Sequence, residues 1–359
     1  MRTDVGRLVI SLDFELFWGM SDKFTLEEYG ERILGERTAI PRMLDLFADY
    51  GLHATWATVG MLAFDTKEEL LSALPDVSRR PDYEDSRISN YGYLSRASIG
   101  KGEADDRYHF GGSLIRLIQS YPHQEVASHT FSHYYCLEKG QNVDSFAADL
   151  QAQKRTLARF GVTPRSLVFP RNQENIEYLR GAANAGIAAY RGNERHFLYC
   201  ARREAEQTLL IRLMRLLNHY VPITGHHTYT IAQVAAGGAP YNVAASRFLR
   251  PYAPRLRAIE PLRRARIKHS MTHAAKRGEI FHIWWHPHNV SVDQEENFAM
   301  LESIARHFVV LKQRYGMEST NIGEIAQFCE AGKEDDAVNY NADTCHPPGR
   351  RSRYDADCV

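Results

Sequence analysis

The sequence predicts an α/β protein whose parallel sheet curls into a barrel. Two observations point there. Short apolar runs rich in β-branched residues alternate with stretches of helical period, the pattern of parallel strands joined by right-handed crossovers. The polar residues of interest fall at the C-terminal ends of those runs, where α/β barrels build their sites. The chain has 359 residues, 44% hydrophobic and 25% charged, enough for one large core or two ordinary domains.

The elements follow in order. Residues 7–12, RLVISL, read as a buried strand that delivers Asp13 and Glu15 at its end. Ile33, Ile40, Met43, Leu44 and Phe47 then recur at helical spacing before Gly51, a helix stop. HATWATVG is a second strand. Residues 65–110 are polar and punctuated by Pro75, Pro81, Gly92, Gly100 and Gly102, which predicts a long insertion covering or shaping a site. SLIRLIQSY resumes as a helix, and EVASH is a third strand ending at His129. A helix over 143–160 leads to the strand RSLVFP, which ends at Pro170 and Arg171; a helix over 174–185 precedes the strand-like IAAYRG. Residues 194–277 form a basic, mainly helical segment in which Glu260 is the one acid between Arg247 and Arg277. That run reads as a solvated helix face, or as a contact surface for an anionic glycan, a nucleotide-linked sugar or a membrane. GEIFHIWWHPHN is the last clear strand, ending at His286. Helices over 294–315 and 321–331 close a domain spanning 1–332, and 333–359 predict a flexible tail without periodicity.

Composition excludes several function classes. A net charge of zero gives no global attraction to nucleic acid. Cys136, Cys200, Cys329, Cys345 and Cys358 are widely spaced and form no C-x-x-C pair, which suits a reducing compartment better than a disulfide framework. The N-terminus reaches Asp13 too early for a signal sequence, and no run approaches the roughly 20 apolar residues of a membrane span. The expected location is the cytoplasm.

The chemistry lies in four short stretches. In EVASHTFSHYYC, His129 and His133 stand four apart, a spacing that lets two imidazoles share one metal if they project from one helical turn. A catalytic zinc commonly takes a third protein ligand, and SLDFEL supplies carboxylates at Asp13 and Glu15. Two such acids divide naturally into a metal ligand and a proton acceptor, although capping the next element is the plainer reading. VFPRNQ places Arg171 at a strand end, where a guanidinium clamps a carboxylate or serves a structural ion pair. HIWWHPHN brings His286 and His288 beside Trp284 and Trp285; a histidine there can protonate a leaving amine, and a tryptophan can face a sugar ring or fill the core.

SLDFE, HTFSH, FPRN and WWHPH, in that order, resemble the motif series of the polysaccharide deacetylases, the NodB-homology or carbohydrate esterase family 4 group. The resemblance spans about residues 7–330. It implies a distorted (β/α) barrel of about seven parallel strands and metal-dependent removal of an acetyl group from an N-acetylated sugar. It assigns Asp13 as base, Glu15, His129 and His133 as metal ligands, Arg171 as the residue holding the base, and His286 as general acid. Trp18, Trp285 and His288 are candidate substrate contacts. Zinc is the expected metal, with cobalt, nickel, manganese or iron as alternatives, and a backbone N–H next to His133 is expected to stabilise the oxyanion. Two departures stand out. The acids are separated by Phe14 and the second is Glu, a D-x-E form that looks like the divergent branch acting on peptidoglycan-like glycans and cyclic amides; and Pro170 precedes Arg171. The expected substrate is an N-acylated amino sugar of a polysaccharide, an O-antigen or capsule, or its cytoplasmic precursor. A deformylase or cyclic-amide hydrolase, and a silent glycan-binding or assembly protein, are the alternatives. Contact with a membrane is expected only peripherally, through basic 247–277.

Overall fold

The computed structural model describes residues 4–203 and 206–343. Its sheet contains β1 (Arg7–Phe14), β2 (Ala54–Thr58), β3 (Gln124–Ser128), β4 (Ser166–Val168), β5 (Ala189–Arg191), β6 (Tyr241–Asn242), β7 (Arg247–Phe248), β8 (Ile280–Trp285) and β9 (Glu318–Thr320). The spatial order is β6-β5-β4-β3-β2-β1-β8-β7, with β9 also on β1, and every named pairing is parallel. Around it lie α1 (Leu26–Tyr50), α2 (Lys67–Ala73), α3 (Asn90–Arg96), α4 (Gly112–Gln119), α5 (Val143–Ala158), α6 (Ile176–Asn184), α7 (Leu209–Asn218), α8 (Ile231–Ala236), α9 (Glu260–Arg277), α10 (Gln294–Tyr315) and α11 (Ile322–Asp343). This is the distorted barrel the sequence predicts. It has more than seven strands because β6, β7 and β9 are only two or three residues long, too short to register as apolar runs.

The central position of β1 explains why its eight residues are all buried. Alternation sends Leu8, Ile10, Leu12 and Phe14 into the main core with Ile40, Phe47 and Phe308, and Val9 into a second cluster with Ala57 and Val168. Asp13 shares the face of Val9 and Ser11, so the strand that anchors the core also aims a carboxylate into the barrel. Each such buried aliphatic side chain contributes about 1.5–3 kcal/mol. Helix α1 opens with a reciprocal Thr25–Glu28 capping box and stops at Gly51, whose φ of 62° is left-handed.

Two expectations change. The 194–277 segment also contributes β6 and β7 to the sheet, and three of its cations, Arg247, Arg263 and Arg266, are buried. Arg263 pairs with Glu260, and Arg266 donates to Asn218 Oδ1 at 3.0 Å. These three guanidiniums hold the fold together and cannot face a membrane. In the stretch expected from 333 as a tail, α11 continues to Asp343, while 344–359, with Cys345 and Cys358, lie outside the described residues. Among the described residues Cys136 and Cys200 are free thiols, and no helix is long and apolar enough to cross a membrane.

Candidate metal centre and active site

Glu15 follows the last residue of β1, and its side chain meets two imidazoles. Its Oε2 lies 3.0 Å from His133 Nε2 and 3.4 Å from His129 Nε2. The two histidines reach it from a loop, not from the helical turn that their spacing suggested. Thr130 and His133 adopt left-handed φ values of 62° and 56°, unusual for non-glycine residues. The loop is held in that shape from α5: Asp149 accepts the backbone N–H groups of Phe131 at 2.6 Å and Ser132 at 3.1 Å. Burial pushes the Asp149 carboxyl up to about 6. The insertion also buttresses the loop, with Asn90 Nδ2 donating to Ser132 O at 3.0 Å and Tyr83 Oη accepting from Tyr135 N at 2.8 Å.

The donor set fits a divalent cation. His129 Nδ1–H donates to Val168 O at 2.9 Å, which leaves its Nε2 lone pair directed at the carboxylate. That buried Nε2 and the buried Glu15 Oε1 have no hydrogen-bond partner. A lone pair facing an anion is repulsive until a cation lies between them. Burial lowers the His133 pKa and so favours the neutral, ligating form. For Glu15 burial acts upward, but the neighbouring imidazoles, His286 foremost, outweigh it and hold the carboxyl well below its ordinary range. Gly19 makes room for this group, since a Cβ there would lie 2.1 Å from the Glu15 carboxyl carbon.

Asp13 stands beside the cluster in a different environment. Arg191, at the end of β5, grips it with Nη1 on Oδ1 at 2.6 Å and Nη2 on Oδ2 at 2.7 Å. Burial would raise Asp13, yet Arg191, with His129 and His286, leaves it below the usual carboxylate value. The guanidinium is itself fixed. It lies 4.1 Å from the Trp284 ring centre and donates to Asn172 Oδ1 at 2.9 Å and Ser11 Oγ at 3.1 Å. Ser11 in turn lies 2.8 Å from Nε2 of His282, whose Nδ1 donates to Val243 O. Burial drives His282 down to about 3, so it stays neutral and accepts the Ser11 hydroxyl proton. His286 completes the group: its Nε2 is 3.7 Å from Asp13 Oδ2 and 3.6 Å from Glu15 Oε1, while Nδ1 faces Asn289 Oδ1 at 3.2 Å.

Residues 30–190 match the family model described as polysaccharide deacetylase. Over that stretch, somewhat under half of its length, the chain is similar to the polysaccharide deacetylases. A search of curated proteins gives no match. Among solved structures, a Mycobacterium smegmatis protein described as a polysaccharide deacetylase is 13% identical with a TM-score of 0.56, over 93% of each chain. This likeness supports the fold. A Pseudomonas aeruginosa protein of the same description is 13% identical with a TM-score of 0.48, over 89% of each chain. The family 4 carbohydrate esterase of Streptomyces lividans, in complex with acetate, is 12% identical with a TM-score of 0.38, over 88% of this chain and 92% of that one.

Several residues singled out in the deacetylase motifs occupy other positions than expected. Arg171 does not hold Asp13. Its left-handed φ of 54° turns the side chain to Asp22, and its guanidinium lies 4.4 Å from the Tyr135 ring centre. Arg191 takes the place expected of it, and the signal was available: it is the polar residue ending AAYR, another strand. Trp18 and Trp285 are core residues, 0% and 1% exposed; Trp18 Nε1 donates to His109 O at 2.7 Å, and Trp285 packs on Phe47. Strand alternation instead turns Trp284 toward the site. His288 is buried behind His286, their ring centres 4.7 Å apart, and its Nδ1 is 3.9 Å from buried Glu36. The amides after His133 are also committed, Tyr134 N to Thr130 Oγ1 and Tyr135 N to Tyr83 Oη, so neither is the expected oxyanion donor. His286 and Trp284 line an adjoining cavity of about 230 Å³ with Arg171, Asn193, Tyr199 and Phe248.

Proposed function

We propose that this chain is a metal-dependent N-deacetylase acting on an amino sugar of a glycan or of a glycan precursor. The observation that carries the reading is the division of labour between two carboxylates at one strand end. Glu15 lies among two imidazoles with an unpartnered nitrogen facing it, whereas Asp13, in an arginine clamp, lies within reach of His286.

Glu15, His129 and His133 would hold the divalent ion, and one carboxylate with two histidines is a set zinc commonly uses in hydrolases. When bound, the ion supplies carbonyl polarisation and a lowered pKa for water. The remaining steps belong to the chain. Asp13, kept ionised by Arg191, accepts the proton of the attacking water. His286 Nε2 delivers a proton to the departing sugar nitrogen. Trp284, with one face against Arg191, offers an apolar edge to the sugar ring in the adjoining cavity. That small cavity keeps a formylated amino sugar or a cyclic amide as the alternative substrate. In the expected cytoplasmic setting a precursor is the accessible substrate.

The test measures metal content beside product release. Purified protein is expected to hold about one ion per chain, lost in His129→Ala and His133→Ala variants that keep their far-ultraviolet spectra, and to release acetate from N-acetylamino sugars. Formate release, or ring opening of a cyclic amide, transfers the assignment to the alternative substrate. Absence of metal after incubation with Zn²⁺, Co²⁺ or Ni²⁺ sinks the mechanism.

A further inference from the structure

We propose that α7 and the loop after it form a docking surface for an anionic phospholipid bilayer. In residues 209–218, LLIRLMRLLN, Ile211, Met214 and Leu216 are half-buried and Asn218 is the one fully buried residue, while the opposite apolar side faces outward. Leu209 is 84% exposed, Leu210 68% and Leu213 52%, and Leu217, Val221 and Ile223 continue the patch. Scattered exposed leucines are ordinary, but six large apolar residues within fifteen positions are not. A helix of this kind, apolar on its outer side and interleaved with arginine, lies in the plane of a membrane interface.

Charge selects the occupant. Residues 195–223 contain Arg195, Arg202, Arg203, Arg212 and Arg215 against Glu204 and Glu206, in a chain whose net charge is zero. Arg203 pairs with Glu206 and Arg215 turns to the cavity, which leaves Arg195, Arg202 and Arg212 as the excess positive charge beside the apolar patch, and that excess complements an anionic headgroup layer. Position gives the docking a purpose. Gln207 and Arg215 line the same cavity as His286 and Trp284, so α7 is at once a wall of the cavity and the face turned outward. A sugar tethered to lipid would then meet the cavity at the membrane surface; that corollary rests on the deacetylase reading, but the docking itself does not.

The experiment is co-sedimentation of the full chain with vesicles of phosphatidylglycerol and phosphatidylcholine, compared with phosphatidylcholine alone. Binding to the anionic vesicles is expected to be about tenfold tighter or more, and to weaken at high salt. A Leu209→Glu, Leu213→Glu double variant should lose vesicle binding while keeping its helical content and metal content. Equal or absent binding to the two vesicle types overturns the proposal. So does a wild-type dimer in light scattering that the double variant dissociates, or vesicle binding that arises only when residues 344–359 are removed; in those cases a second copy or the chain's own end covers α7. An active enzyme that ignores vesicles removes only the docking, and a vesicle-binding protein without hydrolysis removes only the proposed reaction.

Discussion

Arg191 reaches from the end of β5 to hold both oxygens of Asp13 at the end of β1, at 2.6 and 2.7 Å. The pair is buried, and removing one member of such a pair costs about 3–5 kcal/mol. Arg191→Met leaves Asp13 dehydrated without its counter-charge, so its pKa rises and the acid limb of kcat/KM moves to higher pH. A loss of at least about 10²-fold at neutral pH is expected, with metal content retained. Arg171→Met, which breaks the pair with Asp22 instead, should stay within about tenfold of wild type, about 1.4 kcal/mol. A larger effect from Arg171 than from Arg191 would return the clamp to the residue that the motif order suggested.

His286 approaches both carboxylates with one nitrogen while Asn289 occupies the other. His286→Ala should lower kcat on the order of 10²-fold or more without releasing metal, as the loss of a general acid does. His288→Ala tests the support behind it. Its effect should be smaller, because a buried ring pressed on His286 can only position it. Unchanged turnover in His286→Ala removes it from that role.

Gly19 approaches Glu15 so closely that a methyl group would overlap the carboxylate, at 2.1 Å from its carbon. The end of a glutamate side chain can swing away, but here the swing carries off a proposed ligand. Gly19→Ala should weaken metal affinity about 10-fold or more, as misplacing a metal ligand does, while the thermal midpoint of the metal-free protein changes little. Calorimetric titration with Zn²⁺ measures this directly. An affinity equal to wild type would mean that Glu15 tolerates displacement and does not anchor the ion.

How much of this was legible in advance depends on length scale. β1, β2, β3 and β8 were legible because each is a run of five or more residues with β-branched or aromatic members, and α1 because Ile33, Ile40, Phe47 and Gly51 announce its stripe and stop. Asp13, Glu15, His129 and His286 were picked from strand ends and His133 from its spacing to His129, and the structure brings the five side chains together. Arg191 was not chosen, because a three-residue strand leaves little pattern around it and the nearby FPRN offered a rival arginine. Trp18 and Trp285 misled because aromatic identity does not say which face a side chain takes; one step of strand register separates Trp285 in the core from Trp284 at the cavity. Asp149 and Glu36, mid-helix acids buried by tertiary packing, carry no local sign of that burial.

Asp149 yields the last prediction. Burial raises its carboxyl from an ordinary 3.8 to about 6, even though it accepts the N–H groups of Phe131 and Ser132 and the Ser132 hydroxyl. Because the folded pKa lies above the unfolded one, the folded protein binds more protons between those two values. The carboxyl's contribution to stability is therefore greatest below pH 3.8 and declines as pH rises to about 6, by about 3 kcal/mol in all. Asn at this position cannot ionise. The stability difference between wild type and Asp149→Asn, from urea unfolding of metal-free protein, should move against wild type across that window and level off above it. Parallel curves for the two proteins would place the Asp149 pKa near its ordinary value, and would mean that the loop carrying His129 and His133 is held by an ionised carboxylate at every pH where the protein is folded.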